Sequence, residues 1–340
     1  WDDQGGRRGD ERLFGANMMM GRTHGPLGPG TLGFRVMLSA EPGTIGSEGY
    51  PLLLQTGESA DGVTPLVDRQ HPQDLTMELA TTYYVSPDGS GSLYLYAGLP
   101  GEPALGPPVF MHRFSGESFP EAPIGHHWLD SSHITYGVLT VGLVDGPWKL
   151  EGSMFRGREP DHVRTDIEKP ELDSHSFRVS NHPSPNVAMQ GSYGRLHSPD
   201  ALEPGVDVDR ATFSATMNAV GRGRMMQTTV AWGRNQHRPG NTLDAFLVES
   251  CTRTGGRSTW IARIERVVKD DLFTGPHPLA GQTFKVGKIS VGYRYDLNPR
   301  GPVTLGIGGL ATLSRLPGAL ENDYGKNPLA GLAFVRAVLR

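Results

Sequence analysis

The sequence has almost no cysteine and no long apolar run. Its 340 residues include one cysteine, Cys251, which excludes an internal disulfide and a thiolate metal cluster. No stretch of about 18 apolar residues is present, so a transmembrane helix is excluded. The 32 basic and 36 acidic residues leave a net charge of −4, which gives no basic footprint for nucleic acid.

Helical periodicity is also scarce, and apolar residues instead alternate with small or polar ones. "KVGKISVGYRYD" (285–296) places Ile289 and Val291 on one face and Lys288 and Arg294 on the other. An apolar outer face over a charged inner face is typical of a barrel in lipid. The mean hydropathy of −0.35 fits this interpretation, because half of each strand of such a barrel faces a polar lumen.

Fifteen segments of roughly ten residues carry this alternation. They lie near 11–22, 31–41, 73–85, 91–98, 131–144, 147–157, 173–181, 186–196, 209–219, 223–234, 242–253, 257–269, 283–297, 302–314 and 330–340. Short turns, such as "PDGSG" (87–91) and "VDGP" (144–147), alternate with long charged loops. Short turns on one rim and long loops on the other are typical of outer-membrane barrels.

This alternation predicts the topology. The last segment descends to the periplasmic rim and the segment at 11–22 descends too, so residues 1–10 form an extracellular loop. We expect an ascending strand before Trp1, since single-chain bacterial barrels prefer an even strand number. The predicted fold class is therefore all-β: one antiparallel transmembrane β-barrel domain over 1–340, with about 16 strands, 15 of them visible, as in general porins.

Two long loops carry apolar residues that need cover. The loop at 42–72 contains "YPLLLQ", and the loop at 99–130 contains Phe110, Ile124 and Trp128. We expect both extracellular loops to fold into or over the lumen.

The alternation also predicts which side chains line the pore. Positive and negative charges nearly balance, which indicates weak selectivity or a lumen crossed by salt bridges. The predicted pore-lining residues are Arg35, Glu78, Lys149, Glu151, Glu249, Arg263, Glu265, Lys288, Arg294, Asp296 and Arg336.

Aromatic residues followed by arginine end two ascending segments, "YGR" (193–195) and "WGR" (232–234). An aromatic ring at the interface with a cation above it suits an anionic lipopolysaccharide surface. The predicted membrane-interface residues are Tyr193, Arg195, Trp232 and Arg234 on that side and Trp148 and Trp260 on the other.

The stretch "EAPIGHHWLDSSH" (121–133) is rich in histidine. If the two long loops meet, His71, His112, His126 and His127 are candidate ligands for copper, nickel or zinc. Adjacent residues of an extended segment point in opposite directions, so His126 and His127 chelate poorly unless the chain turns there. The alternative is a polar loop whose histidines bind backbone carbonyls. A third hypothesis is a hydrolytic site in "DSSH" (130–133) that uses His133. Consecutive residues seldom reach the geometry of a catalytic triad, however.

Several longer motifs resemble one family. "GLPGEPALGPPVFMHRFSGESFPEAPIGHHWLDSSHITYGV" (98–138), "YPLLLQTGESADG" (50–62) and "WKLEGSMFRGREPD" (148–161) are similar to an uncharacterised group of Gram-negative outer-membrane barrel proteins. The resemblance covers most of the chain. It implies an exported barrel with an additional N-terminal strand and a link to metal handling, notably of copper.

Together these patterns predict a non-enzymatic, porin-like channel in the bacterial outer membrane for passive diffusion of small polar solutes or ions. The alternative is a closed barrel whose histidine-rich loops bind a transition metal of the copper type or dock an extracellular or outer-membrane partner. No other cofactor is expected. The expected partners are the lipid bilayer, lipopolysaccharide and further copies of the chain or another outer-membrane component.

Overall fold

Antiparallel strands account for most of the computed structural model, which describes residues 2–87, 89 and 91–339, with side chains from residue 5 onward. The strands are β1 (Asp2–Gln4), β2 (Glu11–Arg12), β3 (Met19–Leu27), β4 (Gly30–Leu38), β5 (Tyr50–Ser59), β6 (Pro65–Gln70), β7 (Thr76–Val85), β8 (Gly91–Gly98), β9 (Val138–Asp145), β10 (Trp148–Phe155), β11 (Ser174–Ser184), β12 (Val187–Leu196), β13 (Asp207–Gly221), β14 (Arg224–Arg238), β15 (Thr242–Thr254), β16 (Ser258–Lys269), β17 (Phe284–Asp296), β18 (Val303–Arg315) and β19 (Leu329–Leu339).

A continuous ladder joins β3 to β4, β4 to β7, and then each strand to the next as far as β19. All of these pairings are antiparallel, so backbone amides between paired strands meet carbonyls of the neighbouring strand, with register shifts in the β4–β7 and β11–β12 ladders. At the long-loop rim, β1 pairs with β19 through Asp2 and Leu332 and with β2 through Asp2 and Arg12. Within the described residues, no ladder joins β3 directly to β19. The fold is the predicted transmembrane-type β-barrel, and its sixteenth strand stays a prediction.

The connections alternate in length along most of the wall, as the sequence predicts. Short turns follow β3, β7, β9, β11, β13, β15 and β17, and longer loops follow β4, β8, β10, β12, β16 and β18. The predicted long loop at 235–241 is an exception, because β14 continues to Arg238 and only residues 239–241 connect it to β15. Trp1, Arg340 and two residues of the predicted turn at 87–91, Asp88 and Ser90, lie outside the described residues. Two boundaries differ from the prediction. The first long strand spans Met19–Leu27 instead of 11–22, and residues 131–137 belong to a loop because β9 begins at Val138.

Burial alternates along the wall with the predicted period. Val291 and Ile307 are each 55 % exposed, whereas Lys288 and Ser290 on the opposite face are 1 % exposed. The outward residues form an apolar belt, as lipid contact requires. Cross-strand register keeps this order, because Val291 pairs with Ala311 and Ser290 pairs with Thr312.

Two long loops fold inside the wall. The hairpin loop (residues 39–75) carries β5, β6 and the one-turn helix α1 (Glu41–Thr44), and the lumen loop (residues 99–137) carries the one-turn helix α2 (His126–Leu129). A third short helix, α3 (Glu321–Tyr324), lies in the loop before β19. None of the helices in the described part of the chain is long and apolar enough to cross a membrane. The β5–β6 hairpin was not expected from the sequence.

The loops are held inside by an apolar core at the long-loop end of the lumen. Leu52 and Leu54 of the hairpin loop and Ile124 and Trp128 of the lumen loop pack in one buried cluster. The inner wall supplies the remaining surface of this cluster through Leu243, Ala245, Val267, Phe284 and Val286. The inner face therefore changes from apolar beside the loops to charged and polar further down. Burying these side chains stabilises the loops by roughly 1.5–3 kcal/mol for each large residue.

The lipid-facing belt predicts a position-dependent response to charge. We expect Val291→Arg, in the middle of β17, to lower the free energy of unfolding by about 2–4 kcal/mol, because the arginine would face hydrocarbon. Val220→Arg, near the short-turn end of β13 and on the same face as the vestibule residue Asn218, is the control and should change stability by at most about 1 kcal/mol. Denaturant unfolding from lipid vesicles measures both. Equal effects at the two positions would contradict the assigned membrane belt.

Candidate functional site in the barrel lumen

The lumen loop is attached to the inner wall by buried ion pairs. The Arg113 guanidinium lies 2.8 Å from Oε1 of Glu249 on β15 and 2.6 Å from Oδ2 of Asp130 in its own loop. On β17, Lys288 Nζ lies 2.8 Å from Glu121 Oε1. All five side chains are almost completely buried. Because an unpaired charge is costly in such a site, each group fixes its partner in place.

Hydrogen bonds extend this attachment along the loop. Arg263 donates to Glu249 Oε2 at 3.2 Å and to the Glu121 carbonyl at 3.2 Å. Arg294 donates to Ser118 Oγ at 3.2 Å, and the Gly125 amide donates to Glu265 at 3.2 Å. The loop is thus bound to three consecutive strands, β15 to β17.

These contacts change the interpretation of the predicted pore wall. Glu249, Arg263, Glu265, Lys288 and Arg294 face inward but lie beneath the lumen loop instead of facing open space. The sequence could place them on the inner face but could not show that a loop covers them. The expectation that they line free pore space is therefore corrected. Asp296 is buried against Arg294 at 2.9 Å, and Arg336 is half-buried.

An open cavity of about 940 Å³, here called the vestibule, occupies the other side of the lumen. Arg35 and Lys149 line it, together with Glu151, Arg178 and Tyr94. It extends toward the short-turn rim, where His182 and Asn218 line it. The lumen loop closes its inner end with Glu102, Gly106 and His112. Water and small solutes therefore have room up to the lumen loop.

Ion pairs order the vestibule wall. Arg35 binds Glu78 with two hydrogen bonds, of 2.5 and 2.6 Å, and the Tyr96 hydroxyl donates to Glu78 at 2.8 Å. Glu151 accepts from Arg178 at 2.8 Å and lies 2.8 Å from Lys149 Nζ. Arg178 also donates to the Gly106 carbonyl at 3.0 Å, which joins the wall to the lumen loop. The alternation of segment 173–181 could have identified Arg178, since it faces inward beside the outward Phe177.

Three of the four predicted metal ligands come together between the two loops. The chain turns at α2, so the rings of His126 and His127 lie 5.3 Å apart, and the His71 ring lies 6.3 and 5.7 Å from them. His133 joins the group at 5.3 Å from His126. His112 does not join it; its Nε2 contacts Met37 Sδ at 3.3 Å at the vestibule.

Protein acceptors bind the Nδ1 atoms of these rings. His126 Nδ1 meets Asp130 at 2.6 Å, His127 Nδ1 meets Glu159 at 3.2 Å and His71 Nδ1 meets the Pro72 carbonyl at 3.0 Å. Within the described residues, no group of three or more His, Cys, Asp or Glu side chains is arranged to hold a metal ion. His71 thus binds a backbone carbonyl, as the alternative expects, whereas His126 and His127 bind carboxylates, and metal binding stays a prediction. The ring of His133 contacts Gln73 Oε1 and the Asp130 carbonyl, and neither contact is to a serine.

Burial sets the protonation of this histidine cluster. It lowers the pKa of His71 and of His126, and it lowers that of His133 to about 3. Burial also acts against a charge on His127, but the Glu159 carboxylate outweighs it and raises the pKa of that imidazole. For Asp130, burial is outweighed by Arg113 and His126, which hold its pKa at about 2. The junction of the two loops thus consists mainly of neutral imidazoles around anchored charges.

The predicted membrane-interface residues lie on the outer surface. Trp148, Tyr193 and Trp260 are about half exposed. The two arginines are paired within the wall: Arg195 lies 3.1 Å from Asp207, and Arg234 lies 2.9 Å from Asp244. The Trp232 indole also donates to Asp244, at 3.1 Å. These cations are therefore partly neutralised, and their role toward lipopolysaccharide stays a prediction.

Comparison with known proteins shows the fold. No protein-family model and no curated protein matches the chain. An anion-selective porin from Comamonas acidovorans is similar over 99 % of this chain and 98 % of its own, with 10 % identity and a TM-score of 0.56. OmpF of Salmonella typhi in complex with daunomycin is similar over 99 % of this chain and 95 % of its own, with 11 % identity and a TM-score of 0.57. OmpT, an outer-membrane protein of Vibrio cholerae solved in a trimer form, is similar over 99 % of this chain and 96 % of its own, with 8 % identity and a TM-score of 0.53. The fold is that of bacterial outer-membrane barrels, as predicted.

The buried attachment of the lumen loop predicts a large effect of Arg113→Met. Glu249 and Asp130 would each lose an ion pair in a buried site, so we expect the free energy of unfolding to fall by about 3–5 kcal/mol. The lumen loop, once released from the wall, should be cleaved by chymotrypsin after Phe114 or Phe119. Arg253→Met is the matched control, since Arg253 lies 3.7 Å from Glu117 with both side chains 32 % exposed. The Arg253→Met substitution should lower the free energy of unfolding by less than about 1 kcal/mol. Similar losses in both variants would contradict the assignment.

The low pKa of His133 predicts a pH dependence of stability. The folded protein keeps this imidazole neutral down to about pH 3, whereas an unfolded histidine takes up a proton below its usual value of 6.5. The free energy of unfolding should therefore fall with decreasing pH between these values, by up to about 1.4 kcal/mol per pH unit from this group. His133→Gln should remove that contribution, seen as the difference between the pH profiles of variant and wild type. His175→Gln, at an exposed site, should leave the profile unchanged. A His133→Gln profile parallel to that of the wild type would refute the assignment.

Proposed function

We propose that this protein is a porin-like channel of the bacterial outer membrane, through which small polar solutes or ions diffuse passively. The observation that carries the proposal is a polar cavity of about 940 Å³ inside a wall whose outer face is apolar. A wall of this strand number encloses more space than its own side chains fill, as in barrels that hold an aqueous channel. One of the structurally similar proteins, from Comamonas acidovorans, is described as a porin, which agrees with this function.

The bore of this channel is set by the lumen loop. Its residues 101–137 are mostly buried inside the wall, and their ion pairs and hydrogen bonds to β15, β16 and β17 hold the loop on the side of the lumen opposite the vestibule. Solute passage is therefore narrow and depends on the space between the loop and the strands β4 to β14. The hairpin loop lies above it and narrows the path further.

Planar-bilayer recording tests the function. We expect purified protein to form channels of low conductance in potassium chloride. The competing hypothesis, a closed barrel that binds a transition metal or docks a partner through its histidine-rich loops, predicts a barrel that stays silent even at high salt. Silence of correctly folded protein would overturn the proposal.

Shortening the lumen loop should widen the path. We expect replacement of residues 107–127 by a short glycine–serine linker to raise the single-channel conductance several times, since this segment fills the cross-section beside β15 to β17. Shortening the exposed segment 200–204 is the control and should leave conductance unchanged. An unchanged conductance after the first replacement would show that the loop does not set the bore.

We further propose that the chain assembles with copies of itself in the membrane, because one similar barrel is described in a trimer form. Chemical cross-linking in vesicles followed by mass determination tests this. Monomers alone would contradict it.

A further inference from the structure

The vestibule presents cations to the solute and keeps carboxylates behind them. The side chains of Arg35 and Lys149 are 41 % and 40 % exposed, whereas their partners Glu78 and Glu151 are 2 % and 4 % exposed. A permeating ion therefore approaches the positive ends of these pairs first. In a narrow space with low-dielectric walls, such a field concentrates ions of the opposite sign.

A second observation concerns two arginines that face each other. Arg22 on β3 lies directly opposite Arg35 on β4 in the register, and both line the vestibule. Like charges directly opposite one another destabilise a sheet. Glu78 binds Arg35, but within the described residues no ion pair involves Arg22, which is exposed. One cation on this edge of the vestibule is thus available for an anion.

The carboxylate of Glu151 is already saturated. Arg178 donates to both of its oxygens, Lys149 pairs with it, and the Tyr94 hydroxyl donates to it as well. Two cations share this single carboxylate, which leaves one positive charge in excess. Lys149 also lies over the Tyr94 ring at 5.1 Å, a position that holds its ammonium group toward the open space.

The opposite wall carries no charged side chain among the described residues that line the vestibule. It is formed by neutral amides and hydroxyls of β12, β13 and β14, namely Gln190, Ser214, Thr216, Asn218 and Gln227. At the inner end, Glu102 also lines the vestibule; it is a carboxylate whose pKa burial raises. The positive charge of the vestibule therefore lies on the part of the wall from β3 to β11, and the facing part, β12 to β14, is neutral.

We infer that the vestibule selects small anions, with Arg22, Arg35 and Lys149 as the residues that attract them. This inference rests on the proposed channel function and assigns its solute class. Amide and hydroxyl groups of the opposite arc replace part of the hydration shell as the anion passes. The sequence predicts nearly equal numbers of positive and negative charges on the inner face. Positive charge exceeds negative charge at the part of that face which borders the vestibule.

Reversal potentials under a potassium chloride gradient test the inference. We expect wild-type channels to favour chloride over potassium. The double variant Arg22→Gln with Lys149→Gln should reduce this permeability ratio by roughly threefold or more, since both charges border the path. Both substitutions leave Glu78 paired with Arg35 and Glu151 paired with Arg178, so the fold should persist.

The control removes the same charge elsewhere. Lys169→Gln with Lys326→Gln neutralises two exposed lysines of the long loops and should leave the ratio as in the wild type. A wild-type channel with no preference, or one for potassium, would overturn the inference and leave the channel function intact. An unchanged ratio in the double variant would overturn it too. A silent barrel would refute the channel function and the inference with it.

Discussion

Every backbone amide in a lipid-facing wall must find a protein acceptor, and this constraint organises the whole molecule. The ladder from β3 to β19 meets it by pairing each strand with its neighbour in antiparallel register. Antiparallel order in turn permits short turns, of two to six residues, on one rim. Since side chains alternate across the wall, the same constraint sorts apolar residues to the lipid and polar residues to the lumen.

A wall of this circumference encloses a space that its own side chains do not fill, and the two long loops occupy much of it. Their burial requires matching chemistry on the inner face. Near the long-loop rim the wall is apolar and receives Leu52, Leu54 and Trp128. Lower down it is charged and receives Arg113 and Glu121 as ion-pair partners. The inner charges therefore divide into a set that holds the loop and a set that meets solutes.

The sequence predicted the wall well because lipid imposes a period of two that is readable residue by residue. It placed Val291 outward and Lys288 inward, and it identified the long loops that enter the lumen. It could not separate Glu249, which holds the loop, from Arg35, which faces the vestibule, because that difference depends on contacts between residues distant in sequence. Periodicity also missed the β5–β6 hairpin, whose strands pair with each other away from lipid and so lack the alternating pattern. The turn at α2, which gathers His126 and His127, has no periodic signal either.

The cover that the lumen loop places over β15, β16 and β17 connects two distant parts of the chain. Glu249, Arg263 and Lys288 come from the last third of the chain, but their partners Arg113 and Glu121 precede them by more than a hundred residues. Each side of these contacts leaves a buried charge without its partner when the other side is displaced. The stability of the C-terminal strands and the position of the lumen loop are therefore energetically linked, although the two segments lie far apart in the chain.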